Sequence, residues 1–214
     1  MHLDFETYSN CDLKNRGQYN YANDVSTGIH GAAWKLADGP MELWTPSDPI
    51  PDVWRRSDLV ILAHNVAFER CIWLYTLGLQ QPRAWGCTMA MAANFNIALS
   101  LDQAGQALGL PEKKDKEGYE VMRRMMKAWY KPEAGEFQRL CEYCKQDVVV
   151  EEELFEKLYS FMTPTEQKIF QVDQRINNRG IHVDTKSATA ILHAVESQKE
   201  DLNREISSLT DGVI

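Results

Sequence analysis

Three short spacings place oxygen donors where a divalent cation can be held. In "HLDFETY" (2–8), Asp4 and Glu6 lie two residues apart, so on a strand both side chains point to one face. In "HNVAFER" (64–70), Asn65 and Glu69 are four apart, which on a helix separates them by only about 40° around the axis. In "CEYCKQDVVVEEE" (141–153), Tyr143 and Asp147 share a helix face in the same way. Carboxylates turned inward are costly unless solvated or neutralised by a cation, and oxygen donors suit Mg2+ or Mn2+. The third stretch also invites a different chemistry, because Cys141 and Cys144 have the spacing of half a zinc site. A structural zinc needs four ligands, commonly from two such pairs, and Cys11, Cys71 and Cys87 supply no second pair. Buried or half-buried thiols on a continuous helix are the better account of these cysteines.

Each spacing is weak alone. D-x-E recurs at Asp115 and Glu117 in an apparent polar loop, Asn20 and Asp24 repeat the second spacing in another loop, and Tyr8 and Asp12 repeat the third. What separates the working set from these repeats is the element each pair must sit on. Residues 1–8 alternate as a strand, with Leu3 and Phe5 on one face and Asp4 and Glu6 on the other. Residues 28–37 and 40–45 read as two further strands joined by a "DG" hairpin turn at 38–39. The unbroken apolar run in "DLVILAH" (58–64) predicts a strand inside the sheet, and the pattern turns helical from Val66. Asn65 and Glu69 would then face the end of the sheet, where ligands bind in open α/β sheets. Helices are predicted near 87–97, 101–109, 117–130 and 136–160, with Ser100 and Gly109 capping the second. Strands first and helices after predict a mixed α/β domain with a partly antiparallel sheet.

The chain has 214 residues, 44% apolar and 25% charged, an ordinary globular composition. Its longest apolar runs suit buried strands rather than membrane spans, and the first ten residues carry acids where a signal peptide would be basic and then apolar; the expected location is the cytoplasm. Five cysteines without regular spacing fit a reducing compartment. The net charge of −8 counts against a nucleic-acid partner, an objection that weakens if the acids are gathered around cations. One run opposes the average: Lys113, Lys114, Lys116, Arg123, Arg124, Lys127 and Lys131 read as a solvated helix face or a phosphate-contacting flap. His64 reads as a locally hydrogen-bonded strand-end residue rather than a base, and the scattered tryptophans read as core. A boundary falls near 162, where Thr163, Pro164 and Glu166 form a helix start with a capping box. Ile169, Val172 and Ile176 line one face of that helix, Gly180 stops it, "IHVD" (181–184) follows as a strandlet, and Asp184 caps a last helix to about Leu209. Such a tail buries little core alone, so it is expected to lean on the first domain or on something outside the chain.

D-x-E on a first strand, N-x-x-x-E after a later strand and Y-x-x-x-D on a late helix resemble, in that order, the three exonuclease motifs of the DEDD superfamily, the tyrosine marking its proofreading branch. "DFETYSNCDLKNRGQYNYANDVSTGI", "HNVAFERCIW", "CTMAMAANFNIALSLDQAGQALGL" and "KDKEG" look like exonuclease domains of phage and bacterial A-family DNA polymerases, and "TPTEQKIFQVDQRINNRGIHVD" resembles the segment joining that domain to the polymerase thumb. The resemblance covers nearly the whole chain. It implies an α/β, ribonuclease-H-like mixed sheet flanked by helices, with a C-terminal helical tail. It implies a 3′–5′ exonuclease domain over 1–162 and, over 163–214, a truncated helical linker towards a thumb. Nothing resembles a palm or fingers; the chain is either a natural short protein or the N-terminal piece of a longer polymerase, and the unpartnered tail favours the piece.

The resemblance also implies a site for two Mg2+ or Mn2+ ions. Asp4 would bridge both, Glu6 and Asp147 would hold one, and Glu69 would serve the other through water. Glu69 departs from the aspartate usual at that position by one methylene. Tyr143 would orient the nucleophile through its hydroxyl, because a phenol with a pKa of about 10 is too weak an acid to serve as a base at pH 7. Thr7, Asn65 and Phe68 are the implied substrate contacts, although Phe68 also fits an apolar helix face and reads first as core. The implied partners are a single-stranded DNA 3′ end and a polymerase domain in cis or in a longer chain, with no membrane, in the host cytoplasm if the protein is phage-encoded. Two alternatives stand beside this: an RNA-trimming member of the same superfamily, and a non-catalytic module that binds a primer end or supports a polymerase.

Overall fold

A computed structural model describes residues 1–111 and 115–212. Lys113 and Lys114 of the basic run lie outside the described residues. The chain forms two compact units, Met1–Gln171 and Val172–Ile214.

In the first unit, β1 (His2–Tyr8), β2 (Gly28–Lys35), β3 (Met41–Trp44), β4 (Val60–Ala63) and β5 (Ala84–Cys87) form one sheet in the order β3-β2-β1-β4-β5. β1 and β2, and β2 and β3, pair antiparallel; β4 runs parallel to β1, and β5 parallel to β4. With the helices flanking it, this mixed sheet is consistent with the expected ribonuclease-H-like α/β fold. β1 is its central strand, and period-two alternation divides its side chains between the two faces. Leu3 and Phe5 enter a core with Tyr21, Trp44, Trp54, Ile61 and Trp73. Trp54 is the hub, its ring centroid 5.3 Å from those of Trp44 and Trp73 and 5.9 Å from that of Phe5. Each such aromatic pair adds about 1 kcal/mol beyond its buried area. On the other face lies α6 (Glu136–Tyr159), whose Cys144 and Val148 pack against Ala33 of β2.

Several local expectations hold. Ser100 Oγ accepts from Gln103 N at the start of α4 (Leu101–Ala107), and Gly109 beyond its end has φ 62°. Thr163 Oγ1 accepts from Glu166 N at 3.2 Å as α7 (Pro164–Arg179) begins, and Gly180 ends it at φ 67°. Asp184 Oδ1 accepts from Ser187 N to start α8 (Thr185–Leu209).

Others are corrected. Asn20 and Asp24 are not in a loop: they lie in and at the end of α1 (Leu13–Asn23), which Asp12 caps and which kinks at Gly17, φ 76°. Asp115 and Glu117 likewise are no loop, but the N-cap and first turn of α5 (Lys116–Met125). That helix stops short of 130, and the chain continues as a strap whose Met126 carbonyl accepts from Ser9 N at 3.0 Å, tying it to the end of β1. The β2–β3 connection is longer than a "DG" turn; its left-handed residue is Ala37, φ 48°, and Gly39 N donates to Leu36 O. "IHVD" forms no strand. β5 escaped prediction because "AWGC" runs straight into the helix after it, α3 (Thr88–Asn94). Trp129, 73% exposed, is not core. Within the second unit no described side chain is buried, and Ile191, Val195, Leu202 and Ile206 of α8 are exposed.

Candidate metal centre

Three elements carry the motif residues. β1 turns Asp4 and Glu6 away from the tryptophan core. At Asn65 the chain leaves β4 in the left-handed region (φ 66°, ψ 45°), which asparagine adopts more readily than most residues. That turn opens α2 (Val66–Cys71), and places Glu69, only 4% exposed, three residues inside it. α6 supplies Tyr143 and Asp147 one turn apart. Where α5 crosses α6, a Cβ on Gly118 would stand 2.8 Å from Tyr143 Cβ, so this approach requires glycine.

The carboxylate oxygens of Asp4 and Glu6 and the Cys144 sulfur lie within 4.8 Å of one another. Glu69 and Asp147 join them electrostatically. Burial, followed by the Asp147 charge, pushes the Asp4 carboxyl up to about 7. Burial, then Asp4, Asp147 and Glu69, raises Glu6 well above the carboxylate range. Burial and the Asp4 charge do the same to Glu69. Among the described residues, the side-chain charges that raise these three are carboxylates. Glu69 Oε2 is buried without a hydrogen-bond partner. Burial first, then the Asp147 carboxylate with which it hydrogen-bonds, raises the Tyr143 phenol, which therefore stays protonated at neutral pH.

The remaining motif neighbours have local duties. Thr7 Oγ1 and the Tyr21 hydroxyl are 2.9 Å apart in the interior. Phe68 packs on the core, its ring tilted against Tyr21 at 5.6 Å. The exposed Asn65 has no side-chain capping bond. His64 uses both ring nitrogens, towards Thr88 Oγ1 at 3.1 Å and Leu99 O at 2.7 Å, and burial lowers its pKa, which suits a fixed neutral ring. Arg124 pairs with Glu136, and Arg123 lies 3.8 Å from Glu120, both on the solvated side of α5.

Two residues at the centre were missed as site residues: Cys144, set aside as a buried thiol, and Glu151, which no spacing marked. Cys144 Sγ is 3.3 Å from Asp4 Oδ2 and accepts from Ala33 N at 3.3 Å. Glu151, 3% exposed, pairs through Oε2 with His2 Nδ1, and its Oε1 has no hydrogen-bond partner. The Glu151 charge bears on both Asp4 and Glu69. A signal for both existed: Cys144, Asp147 and Glu151 follow i, i+3, i+7 on α6, while His2, Asp4 and Glu6 follow i, i+2, i+4 on β1. Two such stripes laid together bring Glu151 to His2 and Cys144 to Asp4. Cys141 is outside the donor group, so the two cysteines do not act as a pair.

The donor set fits divalent cations. Two hard oxygens of β1 lie beside the Cys144 sulfur of α6, the charges of Glu69 and Asp147 bear on them, and one buried glutamate oxygen lacks a partner. No family model matches the chain. Comparison with curated proteins finds a DNA polymerase of Bacillus phage SP02, and the alignment covers 36% of that polymerase, so the chain spans about a third of its relative's length. Over 232 aligned positions and 98% of its own length, this chain is similar, at 28% identity, to that phage DNA polymerase.

Proposed function

We propose that the chain is the 3′–5′ exonuclease part of a DNA polymerase, removing nucleotides from single-stranded DNA 3′ ends with Mg2+ or Mn2+. In this reading 1–162 is the exonuclease domain and 163–214 the helical link towards a thumb. The observation that supports it is that the carboxylates of Asp4 and Glu6 on β1 feel the charges of Asp147 on α6 and, at Glu6, of Glu69 on α2, so that these acids raise one another at one place. Similarity to a phage DNA polymerase supports the setting.

Asp4, Glu6, Glu69 and Asp147 would hold two ions. When bound, such ions make water a competent nucleophile at neutral pH and steady the leaving oxygen of a phosphodiester. The chain's own part is positional. Pairing with β2 fixes Asp4 opposite Ala33 and Glu6 opposite Gly31, and burial of Glu69 keeps its carboxylate from wandering. Tyr143 cannot be a base, since its phenol stays protonated; its hydroxyl, held by Asp147, orients the attacking water. The test is a single-stranded DNA oligonucleotide labelled at its 5′ end, with an RNA of the same sequence alongside. A ladder shortening from the 3′ end with Mg2+ or Mn2+, and none with EDTA, is expected. Intact DNA under both metals, with folded protein, overturns the reading, and preferential loss of the RNA overturns the substrate.

A further inference from the structure

Cys144 introduces sulfur into a group otherwise made of oxygen. Its sulfur lies 3.3 Å from Asp4 Oδ2 and 3.5 Å from the Asp4 carbonyl oxygen, and it accepts the Ala33 amide at 3.3 Å. A tetrahedral ion with a bond of about 2.3 Å to sulfur and about 2.0 Å to oxygen sets those two atoms about 3.5 Å apart. The observed separation is within a few tenths of an ångström of that edge. Glu6 offers a third donor atom within 4.8 Å of both. Glu69 adds the second, independent sign of a missing ligand, a side chain 4% exposed whose Oε2 has no partner.

The geometry points to Cys144, with Asp4 and Glu6, as a mixed sulfur–oxygen site for a thiophilic divalent cation such as Zn2+ or Cd2+, overlapping the place proposed for Mg2+ or Mn2+. The ion replaces the thiol hydrogen of Cys144: one S–H bond breaks, one metal–sulfur bond forms, and the proton leaves to the buffer. The Ala33 amide remains on the sulfur and stabilises its negative charge. Soft ions gain from a thiolate what hard ions do not, so the two classes compete for Asp4 and Glu6. The inference rests on the reading of these residues as a cation site and not on the hydrolysis.

The test is a Cd2+ titration of the full chain, followed by sulfur-to-cadmium charge-transfer absorption and by 113Cd resonance, with Mn2+ as competitor. A charge-transfer band that Mn2+ suppresses is expected. It is lost in Cys144→Ser and kept in Cys11→Ser and Cys141→Ser. Cd2+ affinity should fall at least about tenfold more than Mn2+ affinity on Cys144→Ser, as a soft donor predicts. A band that survives Cys144→Ser, or a 113Cd resonance of wild-type protein in the all-oxygen range, overturns the site. The second readout needs no variant, so it decides even if Cys144→Ser fails to fold. Sulfur-bound Cd2+ in a chain that leaves labelled DNA intact sinks the exonuclease reading and keeps this site; Mn2+-dependent cleavage without the band does the reverse.

Discussion

In metal-free protein, Asp4→Asn is expected to stabilise the first unit at pH 8 and to leave it unchanged at pH 3.5. Burial and the Asp147 charge raise the folded carboxyl from 3.8 to about 7. Between those values the folded protein keeps a proton that the unfolded chain releases. Stability is therefore full below the unfolded pKa and declines as pH rises, the whole loss being reached above the folded pKa. At 1.4 kcal/mol per unit, the loss above pH 7 is about 4 kcal/mol. It is a ceiling, because Asp4 retains some open surface and its acidic neighbours can take up protons instead. Asparagine has the same shape, can accept from the Cys144 thiol and carries no charge. Urea unfolding in EDTA, followed by fluorescence of the buried Trp54 and Trp73, reads the difference. Saturating Mn2+ should narrow or reverse the difference, since the wild type, with all four carboxylates, gains more from bound ions than the variant does. A variant no more stable than wild type at pH 8, or one that gains equally at both pH values, refutes the reasoning.

Other expectations follow from single contacts. Tyr143→Phe removes the hydroxyl held by Asp147 and should slow single-turnover DNA hydrolysis about a hundredfold while leaving the Mn2+-induced thermal shift in place. Gly118→Ala drives a methyl to 2.8 Å from Tyr143 Cβ; a loss of about 1–3 kcal/mol in urea unfolding and a fall in hydrolysis are expected, and wild-type behaviour in both would show that α5 yields there. His2→Ala leaves a buried Glu151 oxygen without its hydrogen-bond partner and should cost about 1–3 kcal/mol, measured by urea unfolding at pH 7; a loss below about 0.5 kcal/mol would mean the contact carries little.

The strands with strong alternation or an unbroken apolar run, β1 and β4, were legible from local pattern, as were the caps at Ser100, Thr163 and Asp184. These signals are short-range, so local chemistry is enough to write them. β5 and α1 were not legible. β5 has four residues and draws its order from pairing with β4, while α1 is broken by Gly17 and rich in asparagine. At the site, the spacing of Tyr143 and Asp147 on one helix and of Asp4 and Glu6 on one strand stated which faces they share, but not which face met which. Cys144 and Glu151 become meaningful only after α6 is laid across β1. The CxxC spacing drew attention to the wrong relation, since the partner of Cys144 is 140 residues away and is an aspartate.

The left-handed turn at Asn65 means that this position answers to two demands at once. Glycine would keep the bend and delete the amide; a β-branched residue would bring a side chain at the expense of the bend. A comparison of glycine and alanine at 65 thus separates the aim of α2, and with it the depth to which Glu69 is driven, from whatever the exposed carboxamide touches. Few sites let geometry and contact be varied one at a time by changing a single codon.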